Sequence, residues 1–331
     1  MSRNNPLQTL RPVLELLADG EVHSGESLGS ALGVSRAAVW KQLQKLEQQG
    51  IVLESVKGRG YRLPGGLDLL SPAAIDSYLN PGARALLGGL QVVDQVDSTN
   101  ARMLELLERR CGHAVVMFAE QQTAGRGRRG RPWVSPFGGG IHFSVGWQFN
   151  GGVQLLEGLS LAVGVALTRA MAEFDVPDLR VKWPNDIWWR GRKLAGVLLE
   201  LSGDLSDSCA VAIGIGLNFC LSPQSAAAID QPWAELAGIR PGLDRNRVAA
   251  AVLNHLLPLL EQYPGEGFGP YRDAWLQLDQ FAGRPVILRS AQREWCGVAR
   301  GVDASGALLL ELDGRLQRFH GGELSLREAC P

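Results

Sequence analysis

The first 63 residues carry apolar positions with the spacing of three short helices. This spacing occurs in "LRPVLELLADG" (10–20), "HSGESLGSALG" (23–33) and "SRAAVWKQLQKLEQQG" (35–50). Ser24 and Ser35 stand where the N-caps of the second and third helices are expected, and a glycine ends each helix. Two helices joined by a three-residue turn predict a helix-turn-helix.

The next segment, "IVLESVKGRGYRL" (51–63), alternates with period two around glycines and predicts a two-stranded hairpin. Six Lys and Arg but only two Glu lie between positions 35 and 62, a local excess of four positive charges. A basic hairpin behind a helix-turn-helix is typical of a winged helix that faces phosphates. The alternative is a three-helix scaffold with a solvated basic face. The candidate DNA-binding residues are Ser35, Arg36, Lys41, Lys45, Lys57 and Arg59.

The pattern changes after a linker, "LPGGLDLLSP" (63–72), to a mixture of buried strands and helices. Strands are predicted for "HAVVMFAEQ" (113–121) and "GIHFSVGWQF" (140–149), and three short strands joined by tight turns for 179–201. The tail alternates with period two between glycine turns, which fits a small SH3-like barrel. We therefore expect an α+β protein with three domains, at 1–65, 66–275 and 276–331.

The stretch "AGRGRRGR" (124–131) places four arginines and three glycines between two predicted strands. It is not a Walker A loop, because no G-x-x-x-x-G-K-[ST] occurs in the chain. The prolines and glycines that follow cannot open the helix of a Rossmann fingerprint. A solvated basic loop and a nucleic-acid patch remain as alternatives. The third is a loop that closes over an anion, since glycines permit close backbone approach and arginine forks bind carboxylate or phosphate.

Activation of a carboxylate by ATP requires such a loop, because the reaction brings two anions together. Two further segments offer cations at strand ends, where sites are often built: "KWPND" (182–186) and "GRKLAG" (191–196). Taken alone, a lysine such as Lys182 or Lys193 is more often a solvated surface residue than a functional one.

Four motifs occur in a fixed order: "DSTN" (97–100), "QTAGRGRRGR" (122–131), "KWPND" and "RKLAG" (192–196). In this order and approximate spacing they resemble the motifs of biotin protein ligases. With a winged helix in front and a small β-rich tail behind, residues 10–327 resemble the bacterial bifunctional biotin ligases and biotin operon repressors. The resemblance implies a winged helix-turn-helix, a central mixed α/β catalytic domain of the class II synthetase-like biotin/lipoate ligase type, and a C-terminal SH3-like β-barrel.

The resemblance also implies a two-step reaction and its partners. Biotin and MgATP would give biotinyl-5′-AMP and pyrophosphate, and a lysine of the biotin carboxyl carrier protein of acetyl-CoA carboxylase would then receive the biotinyl group. The implied cofactors are biotin (as substrate), ATP and Mg²⁺. Biotin operator DNA would be the second partner, bound by a homodimer that biotinyl-5′-AMP promotes. We expect the edge of "GGGIHFSVGWQF" (138–149) to pair with its twin in that dimer.

The site residues follow from the same resemblance. The implied catalytic residues are Lys182, Arg128 and Lys193. Those implied to bind biotin are Ser98, Thr99, Asn100, Gln122, Arg126, Gly127, Arg128 and Lys193. Those implied to bind the nucleotide are Gly125, Arg126, Arg128, Trp133, Asn185, Asp186, Asn218 and Trp233, the last on a second loop at 222–242. Glu323 and Arg327 are implied to help nucleotide or carrier binding, and no residue is assigned as a metal ligand.

Composition narrows the class of protein. The net charge of −1 argues against a protein whose whole surface meets nucleic acid, so a basic site must be local. Five cysteines without a C-x-x-C pair argue against disulfides and zinc, and favour a reducing cytoplasm. The five scattered histidines show no metal-ligand spacing. The start does not look like a signal peptide, and no membrane span is expected from the apolar runs.

Three other functions remain open at this point. The first is a ligase whose winged helix is idle, and the second is a lipoate-type acyl ligase on a related fold. The third is a biotin-sensing repressor without catalysis. The basic wing argues against the first, the pair of "GRGRRGR" and "KWPND" against the second, and Lys182, Arg126 and Arg128 against the third.

Overall fold

The N-terminal unit is a winged helix in the computed structural model, which describes residues 10–203, 208–321 and 324–328. Its elements are α1 (Arg11–Leu17), α2 (Gly25–Leu32), α3 (Arg36–Gln48), β1 (Glu54–Val56) and β2 (Gly60–Arg62). Oγ of Ser24 accepts a hydrogen bond from N of Ser27 at 2.9 Å, and Oγ of Ser35 accepts one from N of Ala38 at 3.2 Å. Both predicted helix caps are thereby confirmed.

The core of this unit is the apolar stripe that the helical spacing predicted. Val39, Leu43 and Leu46 of α3 are buried against Leu14 and Leu17 of α1. The hairpin pairs antiparallel, with Ser55 opposite Tyr61. Tyr61 also exchanges two backbone hydrogen bonds with His23, of 2.9 and 2.8 Å. The wing is therefore fixed to the chain that leads into α2.

A seven-stranded sheet forms the central domain. Its order is β3-β4-β5-β9-β8-β7-β6, with β3 parallel to β4 and every other neighbouring pair antiparallel. The strands are β3 (Gly89–Val96), β4 (Val115–Gln122), β5 (Gly140–Asn150), β6 (Leu179–Lys182), β7 (Asp186–Trp189), β8 (Arg192–Ser202) and β9 (Ser208–Asn218). The strands predicted at 113–121, 140–149 and 179–201 are all present, within a few residues at each end.

Strand β5 lies inside this sheet and not at its edge. Phe143 pairs with Phe118 of β4 on one side and with Ile215 of β9 on the other. The expectation that the edge of β5 pairs with a second copy is therefore wrong. Strand order depends on pairing partners far away in the chain, and the sequence of one strand does not encode them.

Helices cover both faces of the sheet. They are α4 (Pro72–Ser77), α5 (Pro81–Leu86), α6 (Thr99–Glu108), α7 (Leu159–Ala172), α8 (Pro223–Ala226), α9 (Leu236–Ile239), α10 (Arg245–Glu266) and α11 (Gly269–Leu278). Met117 packs under α6, whereas the next residue, Phe118, belongs to the main core with α7 and α10. Alternate strand residues thus serve two different layers. Residues Val153–Ala172 are long and apolar enough to cross a membrane, but 61% of their most apolar window is buried, as in a core helix.

The predicted loop at 222–242 contains two one-turn helices, α8 and α9, and a short extended piece between them. N of Lys193 donates to O of Pro232, and N of Ala234 donates to O of Lys193, both at 2.9 Å. Residues 232–234 therefore lie along the first residues of β8. This arrangement places Trp233 beside the motif "RKLAG".

A five-stranded antiparallel sheet ends the chain, in the order β13-β12-β11-β10-β14. Its strands are β10 (Pro285–Arg289), β11 (Glu294–Val302), β12 (Leu308–Leu312), β13 (Arg315–Phe319) and β14 (Ser325–Glu328). The segment before it, 279–281, runs along the outer edge of β6, where Asp279 forms a parallel bridge with Val181. The C-terminal sheet is thus joined directly to the central one.

A buried ion pair ties the linker to the central domain. Nη2 of Arg245 lies 2.9 Å from Oε2 of Glu120, and both side chains are at most 1% exposed. Glu120 Oε1 accepts from N of Leu70 at 2.6 Å, and Arg245 also donates to O of Gly140 at 2.6 Å. Because every charged oxygen has a donor, the pair is stable when intact, and removal of one partner costs about 3–5 kcal/mol.

Side-chain hydrogen bonds connect the winged helix to the central sheet. Nη1 of Arg11 lies 2.7 Å from Oδ1 of Asp94, which is only 5% exposed. Nε2 of Gln95 donates to Oε1 of Gln49 at 3.1 Å and to Oε1 of Gln121 at 2.8 Å. The C-terminal end of α3 is thereby joined to β3 and β4. The contact on β4, Gln121, directly precedes Gln122 of the candidate site.

Candidate active site

The four sequence motifs meet around one cavity of about 700 Å³. Its walls are the start of α6, the arginine loop, the β6–β7 turn, the start of β8, the loop at 228–233 and the end of the C-terminal sheet. The volume is in the range of sites for small molecules and cofactors. Residues separated by more than 200 positions in the sequence therefore form one binding site.

Polar side chains at the start of α6 form a buried network. Ser98 is the helix N-cap, with Oγ accepting from N of Ala101. N and Oγ1 of Thr99 both donate to Oε1 of Gln122, at 2.9 and 3.2 Å. Oγ of Ser144 lies 2.7 Å from Oγ1 of Thr99 and 2.5 Å from Oδ1 of Asn100. Ser144 was not predicted, because its partners are 45 and 44 residues away and no local motif marks it.

Glu200 connects this network to the arginine loop. Its Oε2 accepts from Nδ2 of Asn100 at 2.8 Å, and its Oε1 lies 3.0 Å from Nη2 of Arg126. Asn100 stands directly on Gly214, where a Cβ atom would lie 2.4 Å from the amide oxygen. Gly214 therefore permits the close approach of the strand and the Asn100 side chain. Glu200 itself was missed, since it reads as one polar residue in a strand.

The arginine loop is held at both ends. Gly125 O accepts from N of Trp133, and N of Gly127 donates to O of Arg131, both at 2.8 Å. Nη1 of Arg128 lies 3.4 Å from Oδ1 of Asn185, and its Nη2 donates to O of Leu324 at 3.1 Å. Burial lowers the pKa of the Arg128 guanidinium, and Asp186 opposes this effect. Arg128 therefore connects the loop to the β6–β7 turn and to the C-terminal sheet.

Two lysines stand on neighbouring hairpin strands in the same cavity. Nζ of Lys193 lies 2.6 Å from Oδ1 of Asp186. Burial lowers the pKa of Lys182 to about 8, and the cations Lys193, Arg327 and Arg131 act in the same direction, whereas Asp186 raises it. The site therefore concentrates positive charge around two half-buried lysines, as a site for anions requires.

Trp133 lies across the glycine positions of β8 and β9. A Cβ atom on Gly216 would meet its ring at 2.6 Å, and one on Gly196 would meet it at 3.4 Å. The Nζ atom of Lys193 is 5.3 Å from the centre of the indole ring. The Trp133 Nε1 and both ring nitrogens of the neighbouring His142 are buried and have no hydrogen-bond partner among the described residues.

The remaining predicted nucleotide residues line the same cavity. Nδ2 of Asn185 donates to O of Val197 at 2.6 Å, and Nδ2 of Asn218 donates to O of Ala234 at 3.1 Å. Both amides thus hold the backbone of the site in place. Trp233 bridges to Lys193 from the second loop. The structure brings together the predicted biotin and nucleotide residues in one lining, except Gly125, which lies next to Arg126 in the loop but does not line the cavity.

The tail contributes one predicted residue. Arg327 of β14 lines the cavity, but Glu323 lies outside the described residues. Within the described parts of the chain, no group of three or more His, Cys, Asp or Glu residues is placed to hold a metal ion.

The predicted DNA-binding residues lie apart from this cavity, on α3 and the wing. All six are exposed: Ser35, Arg36, Lys41, Lys45, Lys57 and Arg59. Ser35 also caps α3, so its hydroxyl is engaged with the helix backbone. Trp40 was not predicted as a contact, yet its side chain is 49% exposed on the same helix.

Family models match three parts of the chain. The helix-turn-helix model "HTH domain" matches 9–62, the "Biotin/lipoate A/B protein ligase family" matches 92–218, and the "Biotin protein ligase C terminal domain" matches 281–327. Their order is the order that the sequence motifs predicted.

Whole-chain relatives agree with these matches. The chain is 42% identical to the bifunctional ligase/repressor BirA of Salmonella typhimurium, over 96% of this chain and 97% of that protein. It is 37% identical to the biotin–[acetyl-CoA-carboxylase] ligase of Paracoccus denitrificans, over 65% of this chain and 91% of that protein. The structure of the Aquifex aeolicus biotin protein ligase in complex with biotin and ATP superposes with a TM-score of 0.61. It is 28% identical and covers 73% of this chain and 99% of that one. The chain therefore belongs to the biotin protein ligase family, in its bifunctional group of ligases and repressors.

Proposed function

We propose that this chain activates biotin with MgATP to biotinyl-5′-AMP and then transfers the biotinyl group to a carrier lysine. In the first step a biotin carboxylate oxygen bonds to the α-phosphorus, and the bond from that phosphorus to pyrophosphate breaks. In the second, the lysine amine attacks the acyl carbon, AMP leaves and the amine loses a proton. The observation that carries the proposal is the single cavity shared by the four motifs.

The network at the start of α6 is the proposed site for the biotin ring. A ureido head has two N–H donors and a carbonyl acceptor, which match short hydroxyl and amide groups. Ser98, Thr99, Asn100 and Gln122 supply these groups, and Ser144 joins them from β5. Ser98, Thr99, Asn100 and Ser144 are buried, and hydrogen bonds link Thr99, Asn100, Gln122 and Ser144, so these side chains are held in fixed orientations before biotin binds.

The cations are proposed to offset the repulsion between biotin carboxylate and α-phosphate. Two like charges 4 Å apart repel by about 4 kcal/mol at an effective dielectric of about 20. Lys193 and Arg126 are assigned to the carboxylate side, and Lys182 and Arg128 to the phosphate. Gly127 lets the loop backbone approach the adenylate closely, and closure of the loop excludes water from the mixed anhydride.

The other end of the cavity is the proposed nucleotide site. Trp133 and Trp233 offer apolar surfaces for adenine, and Asn185 and Asn218 line the same region. Gly125 sets the backbone of the loop against Trp133, and Asp186 stands between the two lysines. Magnesium is proposed only as part of the MgATP substrate, since this ion is usually held by substrate phosphates with one or two carboxylates.

The carrier is proposed to be the biotin carboxyl carrier protein of acetyl-CoA carboxylase. Support comes from the name of the Paracoccus denitrificans relative, a biotin–[acetyl-CoA-carboxylase] ligase. A reducing cytoplasm is the proposed location, and the four cysteines among the described residues agree with it, since all are free thiols. The domain limits 1–65, 66–275 and 276–331 remain our proposal.

The winged helix is proposed to bind biotin operator DNA as a homodimer that biotinyl-5′-AMP promotes. A helix-turn-helix reads one half-site, and two-fold dimers read two. Strand β8 has β9 on one side as far as Ser202, and β7 on the other side only as far as Gly196. From 197 to 202 no described strand pairs with that second side. We propose that this open edge, with Leu201 39% exposed, receives the second copy. Ordering of the loops by the adenylate would lower the entropic cost of pairing.

The test of the enzymatic proposal is ATP–pyrophosphate exchange, which should depend on biotin. Lys182→Met should slow the exchange about a hundredfold or more, as when an oxyanion donor is lost. Lipoate in place of biotin should give no exchange, and this control separates the lipoate-type ligase. Exchange that does not need biotin would contradict the proposal, and a lack of exchange with biotin would leave a repressor without catalysis.

A further inference from the structure

The ammonium group of Lys182 lies between two aromatic rings. Its Nζ atom is 4.2 Å from the ring centre of Trp188 and 5.9 Å from that of Phe281. The two rings are 6.2 Å apart and meet edge to face at 67°. Both distances from Nζ to a ring centre are within the range of cation–π attraction, about 6 Å. The three side chains therefore form one cluster, which we call the Lys182 cradle.

The two rings reach the cradle from different parts of the chain. Trp188 is on β7, and since Lys182 pairs with Asp186 across the hairpin, Lys182 and Trp188 are diagonal neighbours on one face. Phe281 comes from the segment that precedes the C-terminal sheet. Its backbone N donates to Oδ1 of Asp279 at 3.0 Å. The C-terminal part of the chain thus supplies one wall of the cradle.

The segment that carries Phe281 is fixed to the strand that carries Lys182. N of Gln280 donates to O of Val181 at 2.8 Å, and Asp279 bridges to the same residue. Asp279 is only 8% exposed. Phe281 is itself 2% exposed, so its ring is held by packing as well as by the backbone. Its position relative to Lys182 is therefore set by the backbone contacts with β6 and by packing.

The charged groups around the cradle do little to favour the protonated form of Lys182. The cations that face it are Lys193 on β8, Arg131 on the arginine loop and Arg327 on β14, and the anion is Asp186 on β7. Asp186 is already 2.6 Å from Nζ of Lys193. Burial and the surrounding cations lower the pKa of Lys182 to about 8. Among the described residues, the faces of the two rings add to Asp186 in favouring the charged lysine.

We propose that Trp188 and Phe281 are positioning residues for adenylate formation, which hold the Lys182 ammonium charged and directed at the α-phosphate. The inference rests on the proposed function above, in which Lys182 stabilises charge on that phosphate. Neither ring is assigned a contact with the reacting atoms. Their effect on the rate passes through the protonation and the position of Lys182.

The experiment is the pH dependence of biotin-dependent ATP–pyrophosphate exchange. In the wild-type chain the rate should fall as pH rises through about 8, where Lys182 loses its proton. Trp188→Leu keeps the lysine away from water but removes the ring face. The pH at which the exchange rate falls should therefore be lower by about one unit. The variant should be within about threefold of wild type at pH 6.5 and about tenfold slower at pH 8.5. The KM for biotin should not change.

Three further variants, one of them a control, keep the test decisive. Trp188→Phe retains a ring face and should restore the wild-type profile, whereas a purely steric role would predict equal loss at every pH. Phe281→Leu should shift the profile in the same direction by less, because its ring is farther from Nζ. Phe319→Leu is the matched control, since Phe319 packs on Trp295 in the same sheet, away from Lys182. It should leave the profile unchanged.

The outcomes separate the two proposals. If the wild-type chain shows no biotin-dependent exchange, the proposed function fails. If wild type exchanges but Trp188→Leu and Phe281→Leu keep its pH profile, or lose activity equally at all pH values, the cradle has no such role. A Trp188→Leu variant that does not fold leaves the decision to Phe281→Leu and Trp188→Phe.

Discussion

Nζ of Lys193 lies 2.6 Å from Oδ1 of Asp186, and each side chain is 16% exposed. The two residues stand on neighbouring strands, where Lys193 pairs with Trp188 and Asp186 with Gly196. The lysine assigned to the biotin carboxylate is therefore already paired with a carboxylate of the protein. A bound biotin carboxylate must share this cation or compete for it.

Lys193→Met should weaken biotin binding by about tenfold to a hundredfold, the value of a charge-assisted hydrogen bond of about 1.5–3 kcal/mol. Asp186→Asn removes the competing charge, so biotin should bind as tightly as to wild type or more tightly. Titration calorimetry with biotin alone measures both. If Lys193→Met binds biotin like the wild-type chain, Lys193 does not meet the carboxylate.

Retention of the adenylate should depend on Arg128. Its guanidinium reaches Asn185 and the carbonyl of Leu324, so Arg128→Gly releases the loop from two other parts of the site. The release rate of biotinyl-5′-AMP should rise about tenfold or more, and freed anhydride should biotinylate exposed lysines without selection. Release of labelled adenylate after a chase with unlabelled compound gives the rate.

Arg129→Gly is the matched control for this loop. It removes the same charge, but Arg129 is exposed and has φ of 60°, a conformation that glycine adopts without strain. Its adenylate release rate should stay within about threefold of wild type. Equal release rates in the two variants would mean that total loop charge, not the contacts of Arg128, retains the adenylate.

Asp279 should make stability depend on pH. Burial raises the pKa of this carboxyl to about 6, although the N–H of Phe281 opposes the shift. The folded pKa lies above the unfolded value of 3.8. The stability that comes from the protonated carboxyl is therefore fully present below about pH 4 and is lost as the pH rises through about 6. The effect of Asp279→Asn on the free energy of unfolding should therefore be more stabilising at pH 8 than at pH 4.5, by about 1–2 kcal/mol. Thermal unfolding at both values measures this, and an effect equal at both contradicts it.

The wing and α3 should contribute differently to DNA binding. Lys57 and Arg59 are exposed on the hairpin turn, and if each meets a phosphate, replacing both by Ala should reduce the slope of log K against log salt by about 2. Trp40 is half exposed on α3 and carries no charge. Trp40→Ala should keep the salt slope but lose discrimination between operator and random DNA. Fluorescence anisotropy at several salt concentrations shows whether the two effects separate.

Local signals predicted much of the fold. Ser24 and Ser35 cap helices because a short polar side chain before an apolar stripe is a local signal, and both caps were expected. The winged helix, the arginine loop and the β6–β8 hairpins depend on turns of a few residues, which the sequence also encodes locally. The site residues were found through motifs, each of which is continuous in the chain.

The sequence did not predict contacts between residues that are far apart in the chain. Ser144 and Glu200 complete the network around Asn100, yet they are 44 and 100 residues from it and belong to no motif. Glu120 and Arg245 are 125 residues apart and read as surface charges, although they form the buried pair under the linker. The interior position of β5 was missed for the same physical reason, since sheet order arises only when the whole chain has folded.

One pocket is proposed to make the adenylate that serves both ligation and repression. Operator binding tests this link, measured by gel shift with and without biotin plus ATP, for wild type and Lys182→Met. Wild type should bind more operator when biotin and ATP are added, and less again when unbiotinylated carrier is added. Lys182→Met should not respond to biotin and ATP but should respond to prepared biotinyl-5′-AMP. Operator binding by wild type that is the same with and without biotin and ATP would contradict the account.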